Sequence, residues 1–191
     1  MKYLVAGLGN PGPKYAFTRH NIAWRVLDLF SLDWENKNEF HGEIASLSLG
    51  QETHVFLKPH TYMNDSGKSI AASLSFYKIP IPQLVVVRDD ADLAFGQIKW
   101  VSASGSGGQK GMQSIIDLLG SKEMTQLKVG IRPEANTHKA LSFVLDNFSA
   151  EEEKKLPDIV KKCHDSVVHL LEKGLEGTMN RFNKKSPSIP L

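Results

Sequence analysis

The residue types with the greatest chemical potential fall in four short polar clusters along the chain: Asn10 with His20 and Asn21, Tyr62-Met63-Asn64, Asp89-Asp90-Ala91-Asp92, and the glycine-rich Gly105 to Gly111. A histidine beside a carboxylate makes a general base, because the carboxylate fixes its tautomer and stabilises the imidazolium that forms on proton transfer. Asparagine amides hold a water or a carbonyl and stabilise a developing oxyanion without titrating. Together these types suit activation of water.

Other chemistries fit less well. The aspartates at 89, 90 and 92 could hold Mg²⁺ at a strand end or could equally cap loops. Cys163 and His164 are neighbours on a predicted helix and point about 100° apart, which argues against a nucleophile pair. Lys110 is followed by Gly111, so the Gly-Lys-Ser/Thr ending of a phosphate-binding P-loop is missing, and no Gly-x-Ser-x-Gly elbow occurs. Gly7, Gly9 and Gly12 have dinucleotide-binding spacing. Pro11 and Pro13 flank Gly12, however, and helical periodicity starts only near Arg19, too late for helix N–H groups to meet a pyrophosphate. Of the histidines, His41, His54, His138, His164 and His169 read as structural or exposed, and His60, after a proline, is ambiguous.

To act together the clusters must share one rim, and open α/β sheets bind ligands at such strand ends. Met1 to Ala6 reads as a short apolar strand broken by a Gly/Pro-rich loop, and Arg19 to Ser31 as a helix with His20 in its first turn. Phe40 to Leu49 and Thr53 to Leu57 form a predicted hairpin. Ser66 to Tyr77 has helical spacing, and Leu84 to Val87 is an apolar run of the kind buried in a central strand, with Arg88 to Asp92 as its polar exit. Gln97 to Val101 is a strand, Ser102 to Gly108 a mobile loop, Gly111 to Leu119 a helix and Gln126 to Ile131 a strand. Ser149-Ala150-Glu151-Glu152 has the form of a capping box opening a long helix that ends at Gly174, and a short helix, Leu175 to Phe182, follows. The expected fold is one α/β domain over residues 1–183, a mixed, mostly parallel β-sheet with helices on both faces in three layers. Residues 184–191 are expected to be a flexible tail.

Composition agrees with a globular chain. Of 191 residues, 41% are hydrophobic and 23% charged, and the formal net charge is +2, too small to point to nucleic acid by itself. No segment approaches the ~20 apolar residues of a membrane span. The N-terminus lacks the sections of a signal peptide, and Cys163 is the single cysteine, so a cytoplasmic location is expected.

The runs GLGNPGPKYAFTRHN, KPHTYMNDSGKS, VVVRDDADLAFGQIK, GSGGQKGM and MNRFN, in that order and across nearly the whole chain, resemble the bacterial peptidyl-tRNA hydrolase family. The resemblance implies a monomeric, single-domain enzyme without metal or cofactor. Its substrate would be peptidyl-tRNA released from the ribosome, cleaved at the ester joining peptide to terminal ribose. It makes His20 the general base and Asp89 the carboxylate that orients it, with Asn10 and Asn64 positioning water and substrate. Tyr15 would help bind the tRNA 3′ end, Met63 would line the peptide side, and Lys128 would keep a charge that grips the tRNA.

One departure stands out. The family's glycine loop usually reads Gly-Gly-His-Asn-Gly, whereas this chain has Gly107-Gly108-Gln109-Lys110-Gly111, so Lys110 replaces a substrate-binding asparagine and could contact a tRNA phosphate instead. A second tRNA-gripping charge of the family falls at Val101, with Lys99 on the same strand face. These changes leave an alternative, a catalytically weakened or inactive RNA-binding relative. Retention of Asn10, His20, Asn64 and Asp89 counts against it, because binding alone does not require a base paired with a carboxylate.

Overall fold

The computed structural model describes residues 1–133 and 143–183. Strands β1 (Leu4–Gly7), β2 (Glu35–Lys37), β3 (Gly42–Leu49), β4 (Glu52–Pro59), β5 (Leu84–Ala94), β6 (Ile98–Ser102) and β7 (Thr125–Arg132) form a seven-stranded sheet in the order β2-β3-β4-β1-β5-β7-β6. The four central strands β4, β1, β5 and β7 run parallel. β3 and β6 run against them, and β2, antiparallel to β3, returns to the common direction.

Alternation along the central strands sorts the core into two layers. Val5, Val85 and Val87 face helices α1 (Ile22–Asp28) and α4 (Ala150–Phe182), where they meet Val26, Leu156, Val160 and Val167. Leu4, Ala6, Leu84 and Val86 face α2 (Ser66–Tyr77) and α3 (Lys110–Leu119), against Ile70, Leu74, Met112 and Ile115. A parallel centre buried on both faces explains why these strands read as unbroken apolar runs.

Several elements differ from the sequence reading. The helix expected from Arg19 opens instead as a 3₁₀ turn, Arg19–Asn21, before α1. β3 begins at Gly42 rather than Phe40, since residues 38–40 form a 3₁₀ turn and His41 takes a left-handed conformation, φ 48°. A Cβ at Gly42 would stand 2.5 Å from the Lys58 carbonyl oxygen across the hairpin. β2 was not expected, because Glu-Asn-Lys carries no apolar alternation and is held only by pairing with β3. β5 runs past its apolar run because β7 pairs its polar end, Arg88 with Lys128, Asp89 with Val129 and Asp90 with Gly130.

α4 carries the capping box: Glu152 N donates to Ser149 Oγ at 3.2 Å, and Ser149 N donates to Glu152 Oε2 at 2.8 Å. Gly174 breaks the helix with φ 78° and ψ 175°, where the short last helix was expected to begin. Past that helix, Asn183 reaches the edge strand β6, accepting from Trp100 N at 2.8 Å and donating to Trp100 O at 2.9 Å. The expected tail, 184–191, and His138 lie outside the described residues.

α2 and α3 approach so closely that a Cβ at Gly67 would stand 2.5 Å from the Ser114 carbonyl oxygen, while Gly67 N donates to Ser114 Oγ at 3.1 Å. Gly67→Ala is expected to destabilise the fold by about 1–3 kcal/mol through overpacking, read from urea denaturation. A variant as stable as the parent would mean that the two helices separate without cost.

Candidate active site

The carboxyl ends of β1 and β5 open into a cavity of about 510 Å³, lined by Asn10, His20, Met63, Asn64, Asp89 and Lys110 among others. It unites all four polar clusters, although not every residue of each.

At its centre, His20 Nδ1 and Asp89 Oδ2 lie 2.8 Å apart, with the histidine side chain 11% exposed and the aspartate 2%. His20 is placed by its backbone, since its N–H donates to Val144 O at 2.9 Å and that of Arg19 donates to Asp146 O at 2.9 Å. Arg19 is itself buried and anchored to α4: Nη1 donates to Glu152 Oε1 at 2.8 Å and Nη2 to Glu152 Oε2 at 2.5 Å. Asp89 extends from β5, and its backbone carbonyl accepts from Arg88 Nη1 at 2.9 Å. Burial holds the Arg88 guanidinium below its usual range, with the carboxylates of Asp90, Asp89 and Asp92 opposing that shift.

Asn10 is fixed by reciprocal bonds with Asn21: its N–H donates to Asn21 Oδ1 and its carbonyl accepts from Asn21 Nδ2, each at 2.9 Å. Its side-chain Oδ1 accepts from Met63 N at 2.8 Å. That bond orients the amide and leaves Nδ2 as the donor available to the cavity. Asn21 therefore supports the site from beneath. Gly9 is required here because a Cβ at this position would fall 2.7 Å from the Trp24 ring, whose Nε1 donates to Gly7 O at 2.9 Å. Of the three glycines, Gly7 and Gly9 serve close packing against Leu27 and Trp24, and Gly12 supplies a left-handed φ of 99°, in a loop that enters its α-helix only at Ile22.

Asn64 and Lys110 are exposed on the cavity wall, Met63 is buried in it and Asp92 faces it. Tyr15 and Lys128 stand outside the lining. Tyr15 is half-buried with Lys14 over its ring, and Lys128 Nζ lies 3.4 Å from Asp90 Oδ2. Asp90 turns away from a metal-ligand role, its Oδ1 accepting from the backbone N–H groups of Asp92 and Leu93 at 3.0 and 3.2 Å. Among the described residues no three His, Cys, Asp or Glu side chains cluster as a metal site.

The residues put aside earlier, and the ambiguous His60, have structural surroundings. Burial pushes the Cys163 thiol up to about 12, which leaves it protonated. His60 packs on Trp24 with ring centroids 5.5 Å apart, and His164 packs on Phe30 at 4.3 Å. His54 accepts from Tyr3 N at 3.2 Å; burial, then the N-terminal ammonium, lower it below the ordinary histidine range.

Gln109 was missed as a contributor. It is 8% exposed, caps α3 by accepting from Met112 N at 2.6 Å, and donates from Nε2 to Asp89 Oδ1 at 3.1 Å. Glutamine is not among the usual N-cap residues, so no sequence pattern marked it. Its one visible trace was the departure from the family's loop. Arg88 and the pocket-lining Val144 and Leu145 were also unforeseen.

Comparison with known proteins agrees with this geometry. The family model described as peptidyl-tRNA hydrolase matches residues 4–189. A peptidyl-tRNA hydrolase of Thermosynechococcus vestitus is 39% identical, over 98% of this chain and 96% of its own, and that of Bdellovibrio bacteriovorus is 38% identical, over 95% and 99%. The crystal structure of peptidyl-tRNA hydrolase from Acinetobacter baumannii superposes with a TM-score of 0.87 at 28% identity, covering 97% of this chain and 96% of that one. On a match that spans nearly the whole length in both sequence and fold, this chain belongs to the peptidyl-tRNA hydrolase family.

Proposed function

We infer that this chain hydrolyses the ester between the peptide and the terminal ribose of peptidyl-tRNA, with His20 as the base that activates water. The observation that carries the assignment of roles is the His20–Asp89 pair opening into a cavity that also holds asparagine donors. Asp89 Oδ2 accepts the Nδ1 proton of a neutral imidazole and leaves Nε2 bare. Nε2 takes a proton from water as the water oxygen bonds to the ester carbonyl carbon. The negative charge that develops on the carbonyl oxygen is met by neutral donors, for which Asn10 Nδ2 and the Asn64 amide are the candidates. Collapse breaks the bond to the ribose oxygen, which takes the proton back from His20 and leaves as a hydroxyl. An ester with an alkoxide leaving group yields to this sequence without a covalent nucleophile, in keeping with a thiol that burial holds protonated.

Met63 is assigned to the peptide side of the cavity, and Lys110, at its wall, to a phosphate or a backbone carbonyl of the substrate. Tyr15 and Lys128, outside the lining, would act on the tRNA end beyond the scissile bond. Phosphate contacts of this kind position without reading sequence and weaken as salt rises. The reading includes a single domain over 1–183 acting as a cytoplasmic monomer. No helix among the described residues is long and apolar enough to cross a membrane.

The test is release of the acyl group from N-acetyl-aminoacyl-tRNA, with unblocked aminoacyl-tRNA as control and EDTA present throughout. Hydrolysis of the blocked substrate alone is the expected result. Tight tRNA binding without release would convert the reading to an RNA-binding relative that has lost its chemistry.

A further inference from the structure

We propose that Gln109 is a positioning residue for this reaction: its amide, anchored by capping α3, holds the second oxygen of Asp89 and so fixes the carboxylate against His20. The proposal rests on the roles assigned above to His20 and Asp89.

The amide cannot be turned round. Only its oxygen can accept, and Oε1 takes the Met112 N–H at 2.6 Å, one of the otherwise unpaired donors at the start of a helix. Nε2 is thereby directed to the other side, where it lies 3.1 Å from Asp89 Oδ1 and 3.1 Å from Met63 Sδ. Room for this arrangement comes from Gly111, where a Cβ would stand 2.5 Å from Met63 Sδ and 3.1 Å from Gln109 Oε1. Asp89 then has one side-chain partner on each oxygen, His20 on Oδ2 and Gln109 on Oδ1, and the carboxylate plane is set by two anchors on different elements.

An amide suits the task because it does not titrate. It presents the same N–H to Asp89 whether His20 is neutral or protonated, so the support persists through the proton-transfer cycle. Among the described residues, the other charged groups around the pair are Arg88, with Nη1 on the Asp89 carbonyl, Asp90, held by Arg88 and Lys128, and Asp92 and Lys110 on the cavity wall. A change confined to residue 109 leaves them in place.

Gln109→Glu separates the two ends of the side chain. A carboxylate still accepts from Met112 N, at a helix N-terminus where negative charge is favoured, but it offers Asp89 an acceptor where there was a donor. With ¹⁵N-labelled histidine, the His20 imidazole ring of Q109E is expected to titrate at higher pH than in the parent, by about one unit, since a second carboxylate favours the imidazolium. Turnover of N-acetyl-aminoacyl-tRNA at neutral pH is expected to fall about tenfold with KM little changed, and to recover as pH is raised past the displaced acid limb. Recovery with pH is not the behaviour of a damaged fold.

His20 titrating as in the parent would overturn the proposal, and a lower Tm alongside that result would leave Gln109 as a helix cap only. A loss confined to KM would also overturn it, placing the residue on the substrate. The NMR titration decides the matter even if the parent fails to release the blocked acyl group, an outcome that would sink the functional reading separately.

Discussion

His20→Ala lowers release of the acyl group from N-acetyl-aminoacyl-tRNA by about a thousandfold and leaves tRNA binding intact, the loss expected when a positioned general base is removed. The fold has little to lose from the substitution. The bonds that shape this turn are backbone bonds, His20 N–H to Val144 O and Arg19 N–H to Asp146 O, and alanine keeps both. The imidazole itself faces a cavity rather than the core. Single-turnover release beside filter binding of the same tRNA separates the two effects. Parallel loss of release and binding would show that His20 shapes the surface instead of the chemistry, and retention of half the parent rate would remove it from the mechanism.

Glu152→Ala has the largest expected effect on stability, a loss of about 3–5 kcal/mol, because it strands the Arg19 guanidinium without its carboxylate. The Arg19 side chain is 6% exposed and that of Glu152 14%, and the loss leaves the guanidinium the Ile131 carbonyl, 3.3 Å from Nη1, in place of a carboxylate. The same change removes one half of the capping box at the start of α4. Burial raises the Glu152 carboxyl, but hydrogen bonds from Arg19 and Ser149 outweigh it and hold the group below the ordinary carboxylate range. A depressed folded-state value contributes stability that is complete above the unfolded pKa, near 4.3, and is lost as pH falls through the lower folded value. The parent should therefore lose more stability with acid over that window than the variant, in which the other depressed carboxylates, Glu35, Glu52 and Asp165, remain, as measured by urea denaturation from pH 6 downward. A difference of less than about 1 kcal/mol at neutral pH would reduce the pair to the worth of a surface ion pair.

That ion pair also shows where reading along the chain stops. α2 was predicted with the bounds Ser66–Tyr77 that it has, and the Ser149–Glu152 box and the break at Gly174 were legible, because each is written in residues a few positions apart. Arg19 and Glu152 are 133 positions apart, and nothing local in either marks the other. The same holds for β2, whose polar triad becomes a strand only through β3, and for the polar half of β5, which β7 keeps extended. Within the site, Asn10, His20 and the aspartates of 89–92 stood out by residue type and by their place near strand ends, and the family resemblance singled out Asp89 among them as the partner of His20. Gln109 did not, since an amide at the start of a helix acquires its meaning only when a carboxylate from another strand arrives beside it.

The amide of Asn183 has a bearing on solubility. β6 is an outer strand, and an outer strand offers unpaired N–H and C=O groups to any other chain able to add a strand of its own. By occupying both backbone groups of Trp100, Asn183 imitates one rung of a missing neighbour and closes the middle of that edge. A chain cut just before Asn183 would keep every residue that lines the cavity and still present a recruiting edge, so its failure would be self-association rather than loss of chemistry.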